Sequence, residues 1–450
     1  MLHHLHQLWI RVSSSLWFVP LGMVFGAITL AVLLVATDLA IGTDWITNHS
    51  LIFGVGAAGA RGMLAAIAGS MITVASLTFS LTISTLAAAS SQYTSRVIRN
   101  FMRDRVNQFV LGYFVGLFAY CLVVLRTIRS GDETAFVPAL AVMGGLLLAL
   151  LSIGVLIYFI HHVAESIQVG IILRRVTNET LNAIDDLFPA DEGEPATATR
   201  AAPGPRPGAI AASPDDDAHG GHRWHAIPAQ QFGYVQSLDA KGLLAKAAEN
   251  DAVVRMSADI GSFVTPAGSI CEIAMAAPPG DELVAELRET FDIGAARTIE
   301  QDAAFGIRQI VDIALKALSP GINDTTTGVM CVEHLAAVLE TLAARSIPDR
   351  FRAEDGTVRL IASGRSFDVL TGLCLNQIRQ SASGNTAVML ALLRAIQAAG
   401  RQTSDYARRR TLSRHANLIA ILARDSVPCS DDAAPVTTTA SAAIAELDAA

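Results

Sequence analysis

Four long apolar runs crowd the first third of the chain, whereas beyond about residue 185 apolar and charged positions alternate at the short periods of a water-facing domain. The runs cover 16–41, 63–89, 107–125 and 136–160. Each is close to the roughly 20 residues a helix needs to cross a bilayer core. The third is the shortest, yet no charged side chain falls between Val106 and Leu125. The pattern predicts an α-helical membrane domain of four transmembrane helices, followed by a cytosolic α+β region.

The connections give an orientation. The stretch SRVIRNFMRDR after the second run holds Arg96, Arg99, Arg103 and Arg105, and positive residues in short loops stay on the cytoplasmic side. Both termini are then expected in the cytoplasm, with the loops around 44–61 and 127–135 outside. Arg126 and Arg129 oppose this scheme but share their loop with Asp132 and Glu133. The first apolar stretch is longer than the core of a cleavable leader and is followed by further spans, so a cleaved signal peptide is not expected. Small residues that let helices approach closely recur at Gly22 and Gly26, at Gly112 and Gly116, and at Gly144, Gly145, Ser152 and Gly154. Packing inside the bundle and packing between subunits both use such faces.

The second run has an unusual polar pattern, GSMITVASLTFSLTISTLAAASSQ. At 3.6 residues per turn, Ser70, Thr73, Ser76, Ser80 and Ser84 fall within an arc of about 120°, and Thr78, Thr82 and Thr85 gather on a second, narrower face. Uncharged hydroxyls suit a pore wall because they bond partly hydrated ions without trapping them. The same hydroxyls also bond back to carbonyls one turn away or across a helix pair, so the five are candidate pore-lining residues with a bland alternative. The interiors of runs two to four contain no Asp, Glu, Lys or Arg, which disfavours a proton-coupled carrier or an intramembrane hydrolase. Asp38, near the outer end of the first run, is expected at the membrane interface.

After the fourth run, FIHHVAESIQVGIILRRV sets His161 and Glu165 one turn apart with His162 beside them. The spacing fits a weak metal site or a proton-sensitive contact, but two ligands make no site, and a polar cap on the span explains the same residues. The helix is expected to run on to about Leu187 as an amphipathic stalk, closing a membrane domain over 1–188. Residues 189–222, rich in Pro, Gly, Ala and acids, carry too little apolar surface to fold and read as a disordered linker. The tail, 426–450, reads the same way. His219, His222 and His225, in or beside the linker, are expected to be unligated.

Residues 223–280 form a small α+β module in this reading: FGYVQSL as a strand, AKGLLAKAAEND as a helix, AVVRMSAD as a strand and GSFVTPAGSICEIA as a turn-rich hairpin. Residues 281–425 read as a helical domain. Ile307, Ile310, Val311, Ala314, Leu315 and Leu318 line one helical face, Pro320 and Gly321 break it, and Asn323 or Asp324 caps the next helix. A helix start offers free amides to an anion. Asn323 and Asp324, with Arg297 or Arg308 nearby, are therefore a candidate ligand- or anion-binding site, for which an ordinary cap is the plainer account. The run Arg408, Arg409 and Arg410 fits either a solvated helix face or an inner-leaflet contact.

Composition narrows the classes. With 52% hydrophobic residues and a mean hydropathy of +0.43, the chain is too apolar for an ordinary soluble protein. A net charge of −8 without an extended basic surface gives no reason to expect nucleic acid as a partner. Five scattered cysteines lack CxxC spacing, so neither a zinc site nor a redox dithiol is indicated. There is no GxxxxGKS or GxxxxGKT loop, no GxGxxG after a strand, no HExxH and no GxSxG. No nucleophile, base and orienter assemble from the sequence, and neither enzymatic activity nor a cofactor is expected.

Three long motifs occur in a fixed order: LTFSLTISTLAAASSQYTSRVIRNFMRDRVNQFVLGYFVGLFAYCLVVLRTIR, YFIHHVAESIQ and DIALKALSPGINDTTTG. They resemble the bacterial integral membrane family catalogued as domain-of-unknown-function family 2254, across nearly the whole chain except 189–222 and the tail. The resemblance implies four spans and a cytosolic region in a bacterial inner membrane, and it assigns no function. Where a proline is expected after SPGIND the chain has Thr325, which an early helical position also accepts.

The leading expectation is an oligomeric inner-membrane protein, a channel-like pore around the second span with a cytosolic gating or assembly region. Four helices enclose little path alone, so a pore needs several subunits, most simply a cyclic homo-oligomer. The alternative is a membrane-anchored sensor or scaffold whose cytosolic region binds a ligand or protein. Expected partners are the lipid bilayer, further copies of the chain, and an ion or small ligand.

Overall fold

The computed structural model describes residues 17–41, 56–92, 105–129, 136–166, 168–188, 223–347, 351–354 and 357–449. The linker 189–222, with His219 and His222, and the basic stretch holding Arg96, Arg99 and Arg103 lie outside them. The chain divides into two compact units, Met1–Ile171 and Ile172–Ala450.

The first unit holds four helices, α1 (Phe18–Ile41), α2 (Ala57–Gln92), α3 (Arg105–Thr127) and α4 (Ala139–Ser166). All four apolar runs therefore form helices, and the second extends beyond 63–89 at both ends. The helix α3 packs against the other three and buries Val110, Phe114, Leu117, Tyr120, Cys121 and Val124. Gly112 and Gly116 let α1 approach: a Cβ at Gly112 would stand 2.9 Å from Pro20 Cα and 2.8 Å from Met23 Sδ. Gly144 and Gly145 seat the Tyr120 ring, whose hydroxyl donates to Ala141 O at 2.6 Å. Gly22, Gly26 and Gly154, by contrast, face nothing within 4 Å. Phe25, Leu147 and Ile157 are more than half exposed, an apolar surface that lipid or another helix must cover.

Asp38, expected at the membrane interface, is 9% exposed and caps α4 at one end of the bundle. Arg61 of α2 donates to Ile128 O at 2.7 Å. The end of α1, the start of α2, the end of α3 and the start of α4 thus carry the polar contacts of one end of an alternating bundle.

The expected stalk is a separate helix, α5 (Val169–Leu187). At the end of α4, Ser166 Oγ bonds back to Val163 O, and the Gln168 amide reaches Glu165 O with i→i−3 spacing. That tightens the last turn and stops the ladder. The amphipathic character is as read, with Leu173, Val176, Ala183 and Ile184 buried.

The second unit continues with β1 (Arg223–Pro228), β2 (Gly233–Leu238), α6 (Ala240–Glu249), β3 (Val253–Met256), β4 (Phe263–Val264), β5 (Ser269–Met275), α7 (Asp281–Glu289) and β6 (Phe291–Gly294). Then come α8 (Ala303–Ala317), α9 (Thr325–Ala344), β7 (Phe351–Glu354), β8 (Thr357–Ile361), α10 (Phe367–Ser381), α11 (Thr386–Arg401), α12 (Tyr406–Ser426) and α13 (Ser430–Asp448). One sheet has the order β1-β5-β3-β8-β7, in which only β3 and β8 run parallel; the other has the order β4-β2-β6.

Three expectations change here. The boundary at 280 does not separate a β module from a helical domain, because β8 carries Leu360 and Ile361 from the helical half to the open edge of β3, and β6 pairs with β2. The proposed hairpin does not form: β4 pairs with β2, while β5 lies between β1 and β3, where both of its edges are bonded. The tail is no disordered segment but the helix α13, which packs against α11 and α12. Its alanine-rich composition hides a helical stripe, Val436, Ala440, Ala443 and Leu447, all buried. Alanine is the best helix former, and Asp431 and Asp432 in the first turn complement the dipole.

Among the described residues five helices are long and apolar enough to cross a membrane, namely α1 to α4 and also α9. Length and composition thus do not by themselves fix the expected count of four. Val332, Leu335, Val338, Leu339 and Leu342 of α9 are buried within the second unit against its neighbours, α11 foremost. Arg408 donates to Ala343 O and Arg345 O at 2.9 Å each, closing the C-terminal end of α9. That contact, rather than water or a leaflet, accounts for this arginine.

Candidate functional site

The hydroxyl stripe of α2 is on the outside of its bundle. The helix buries Ala60, Leu64, Ala68, Met71, Ala75 and Thr78. At 100° per residue the centre of that face lies about 180° from the centre of the stripe. Ser70, Thr73, Ser76, Ser80 and Ser84 are all exposed. The first three bond back to the carbonyls of Ala66, Gly69 and Ile72 at 2.8, 2.9 and 2.9 Å. Such a bond uses the hydroxyl proton and leaves an acceptor lone pair facing outward. The second polar face turns inward: Thr78 is buried and Thr82 and Thr85 are half-buried, each bonded at 2.8 Å to a carbonyl of the preceding turn. Two polar faces with two different surroundings are therefore present on one helix.

His161 and Glu165 pair at 3.2 Å on the exposed end of α4, and His162 stacks on Tyr158. Among the described residues no group of three or more His, Cys, Asp or Glu side chains is placed to hold a metal ion. His225 lies in β1, opposite Ile273.

In the second unit the concentrated chemistry is a charge network around Asp302, the N-cap of α8. Asp302 Oδ1 accepts the Phe305 amide at 3.1 Å, and Oδ2 accepts Nε and Nη2 of Arg297 at 2.8 and 2.6 Å. The Asp302 side chain is only 3% exposed. Arg297 also lies over the Phe305 ring, 4.9 Å from its centroid. Arg365, from the loop before α10, reaches Asp302 Oδ1 at 3.4 Å, Ile260 O at 3.4 Å and Asp259 Oδ2 at 3.5 Å, all at the long limit of a hydrogen bond. Burial pushes the Asp259 carboxyl above the usual carboxylate range against the pull of Arg365. Gly261, at φ +82°, closes over the network where a side chain would collide with Asp302.

Two hollows flank this network. One is a cavity of about 1110 Å³ lined by both polar and apolar groups, among them Asp239, Asp259, Met256, Leu360 and Arg365. The other is a recess of about 480 Å³ lined by Arg297, Arg308, Arg365 and Arg414. The structure thus brings Arg297 and Arg308 together but does not place Asn323 or Asp324 with them. Asp324 is a cap: its carboxylate accepts Thr327 N at 3.0 Å and Thr327 Oγ1 at 2.6 Å, and those bonds hold it below the usual carboxylate range. Asn323 takes the left-handed turn before it, at φ +51°. Sequence reasoning missed Asp302, Arg365, Asp259 and Arg414. A signal for Asp302 existed, an Asp just before the apolar face of α8, whereas nothing local marks Arg365 in ASGRSF.

Residues 13–398 match the family described as "Predicted membrane protein (DUF2254)". Two mycobacterial proteins, "Uncharacterized protein Rv1290c" of Mycobacterium tuberculosis and "Uncharacterized protein Mb1321c" of Mycobacterium bovis, are each 37% identical to the chain over 358 residues. The aligned part is 78% of this chain and 65% of each relative, so the chain spans about two thirds of their length or slightly less. No solved structure is significantly similar.

Proposed function

The chain belongs to the predicted membrane protein family DUF2254, and from that premise we propose that it is a bacterial inner-membrane protein that works as a homo-oligomeric, channel-like pore. In this reading α1 to α4 span the bilayer, α9 is a core helix of a cytosolic unit that gates or assembles the pore, and both termini are cytoplasmic. No catalytic step is part of it. The observation that carries it is the placement of Ser70, Thr73, Ser76, Ser80 and Ser84 opposite the buried face of α2. Lipid gains nothing from a column of hydroxyls, whereas a facing helix or a water-filled axis bonds to them.

Two measurements test this. In a Cys429→Ser background, which removes the exposed thiol, Ser76→Cys should cross-link subunits in membranes. Purified protein in planar bilayers should conduct, with current reduced in Thr73→Leu and Ser80→Leu. A monomer that neither cross-links nor carries current under varied voltage, tension and pH ends the reading.

A second reading, a membrane-anchored sensor or scaffold, is favoured by the cavity of about 1110 Å³ in the second unit. It predicts a silent bilayer and a small molecule or peptide whose binding is lost when Leu360→Trp fills that cavity.

A further inference from the structure

The recess beside the Asp302 network sets four guanidinium groups around one hollow. Arg297 comes from the loop before α8, Arg308 from α8 itself, Arg365 from the loop before α10, and Arg414 from α12. Like charges gathered in this way repel, and anions lying among them relieve the repulsion. Part of the compensation is internal. Asp302 holds Arg297 closely and Arg365 at long range, and Asp368 accepts from Arg414 at 2.6 Å. Arg308 donates to the neutral Gln377 amide oxygen. The lining itself therefore presents four arginines to a single carboxylate, Asp368. Arg365 has three contacts of 3.4–3.5 Å and none shorter among those described, so it has strong hydrogen bonds still to make.

Two further features point to an anion. The first turn of α10 lines the same recess with Asp368 and Val369, and the positive end of its dipole adds to the potential of the arginines. Asn376 and Gln377, further along the same helix, add amide groups to the lining. His415, buried next to Arg414 in the sequence of α12, feels the same positive charge: its ring is held neutral first by desolvation, with Arg414 and Arg379 contributing and Asp368 opposing. Guanidinium forks match the geometry of phosphate oxygens and bond them two at a time.

We infer that this recess is a binding site for a phosphate-bearing anion, held by Arg308, Arg365 and Arg414 with Arg297 fixed behind them. Asp368 is the built-in competitor, occupying Arg414 until the ligand displaces it. The site stands on the second unit alone, so it neither requires the pore nor the larger cavity.

The test uses the full chain in phosphatidylcholine nanodiscs and inorganic pyrophosphate as the probe, followed by calorimetry and by thermal unfolding. Binding should weaken by at least ~10-fold for each of Arg308→Gln and Arg414→Gln. It should strengthen by roughly threefold or more in Asp368→Asn, which removes the competing charge. A merely misfolded variant cannot give that opposite sign. If the physiological source is a lipid headgroup, phosphatidylglycerol discs will abolish the pyrophosphate signal in the wild type; if it is a free phosphate, both discs will give the same affinity. Either result supports the site. No pyrophosphate binding by the wild type in phosphatidylcholine, or binding equal in all variants, overturns it.

Discussion

The Asp38 carboxylate of α1 accepts the backbone amide of Ala141 in α4 at 3.1 Å, while its other oxygen takes that of Leu140 at the same distance. An acid that sequence placed at the membrane interface is the N-terminal cap of another helix, 102 residues away or more. A helix start leaves its first amides without intrahelical partners, and α4 has Pro138 before it and an apolar first turn that supplies no cap of its own. Asp38→Ala should therefore lower stability by about 1–2 kcal/mol. Asp38→Asn, which keeps one acceptor oxygen, should lose less. Thermal unfolding in detergent ranks the three, and equal midpoints for wild type and Asp38→Ala would remove the cap from the account.

The two GxxxG pairs are predicted to behave oppositely. Gly112 meets Pro20 Cα, a backbone atom that cannot step aside, so Gly112→Ala forces α1 and α3 apart at a cost of about 1–3 kcal/mol. Gly26→Ala meets nothing within 4 Å in the subunit and should leave the unfolding of the monomer unchanged. Should Gly26→Ala weaken cross-linking of the assembled protein, the α1 pair is a contact between subunits.

His415 gives the protein a pH dependence of known sign. Both ring nitrogens are buried without a hydrogen-bond partner, and burial first, then Arg414 and Arg379, against the opposing Asp368, pulls its pKa from 6.5 to about 4. The unfolded state therefore binds the proton more readily. Stability is fully present above about pH 6.5 and falls as pH drops toward 4, by on the order of 2–3 kcal/mol. Urea unfolding at pH 7 and pH 5 should show a loss in the wild type that is absent in His415→Leu.

What could be read from the chain follows from the range over which each feature is encoded. Helix α2 declares its stripe because a 3.6-residue period is local, and Asp302 and Asp324 announce themselves as caps within three residues of the amides they bind. The parallel pairing of Val254 with Leu360 joins strands about a hundred residues apart, and no local pattern specifies it. For the same reason Arg365 and Arg414 were invisible: their importance lies in meeting Arg297 and Arg308, and each alone is an arginine in a polar stretch. The tail failed differently. Its composition looks simple, yet four apolar side chains at helical spacing suffice once α11 and α12 offer a groove.

The seat of α5 in the second unit yields the last prediction. Thr180 lies against Gly306 of α8 so closely that any side chain there would collide with it. Thr177 bonds His334 of α9 at 2.8 Å, and Arg345 holds Asp185. Helix α5 is the segment that follows the last helix of the first unit, so a rigid seat is what a gating unit would need to transmit a movement, and an anchor would not. Gly306→Val should lift α5 from α8 while leaving α1 to α4 intact. Amide exchange over 172–187 should then rise well above that of the wild type, with the α3 core unchanged. If the pore reading holds, the same variant should conduct with altered gating and unaltered single-channel current; a change in the single-channel current would place α5 in the path itself.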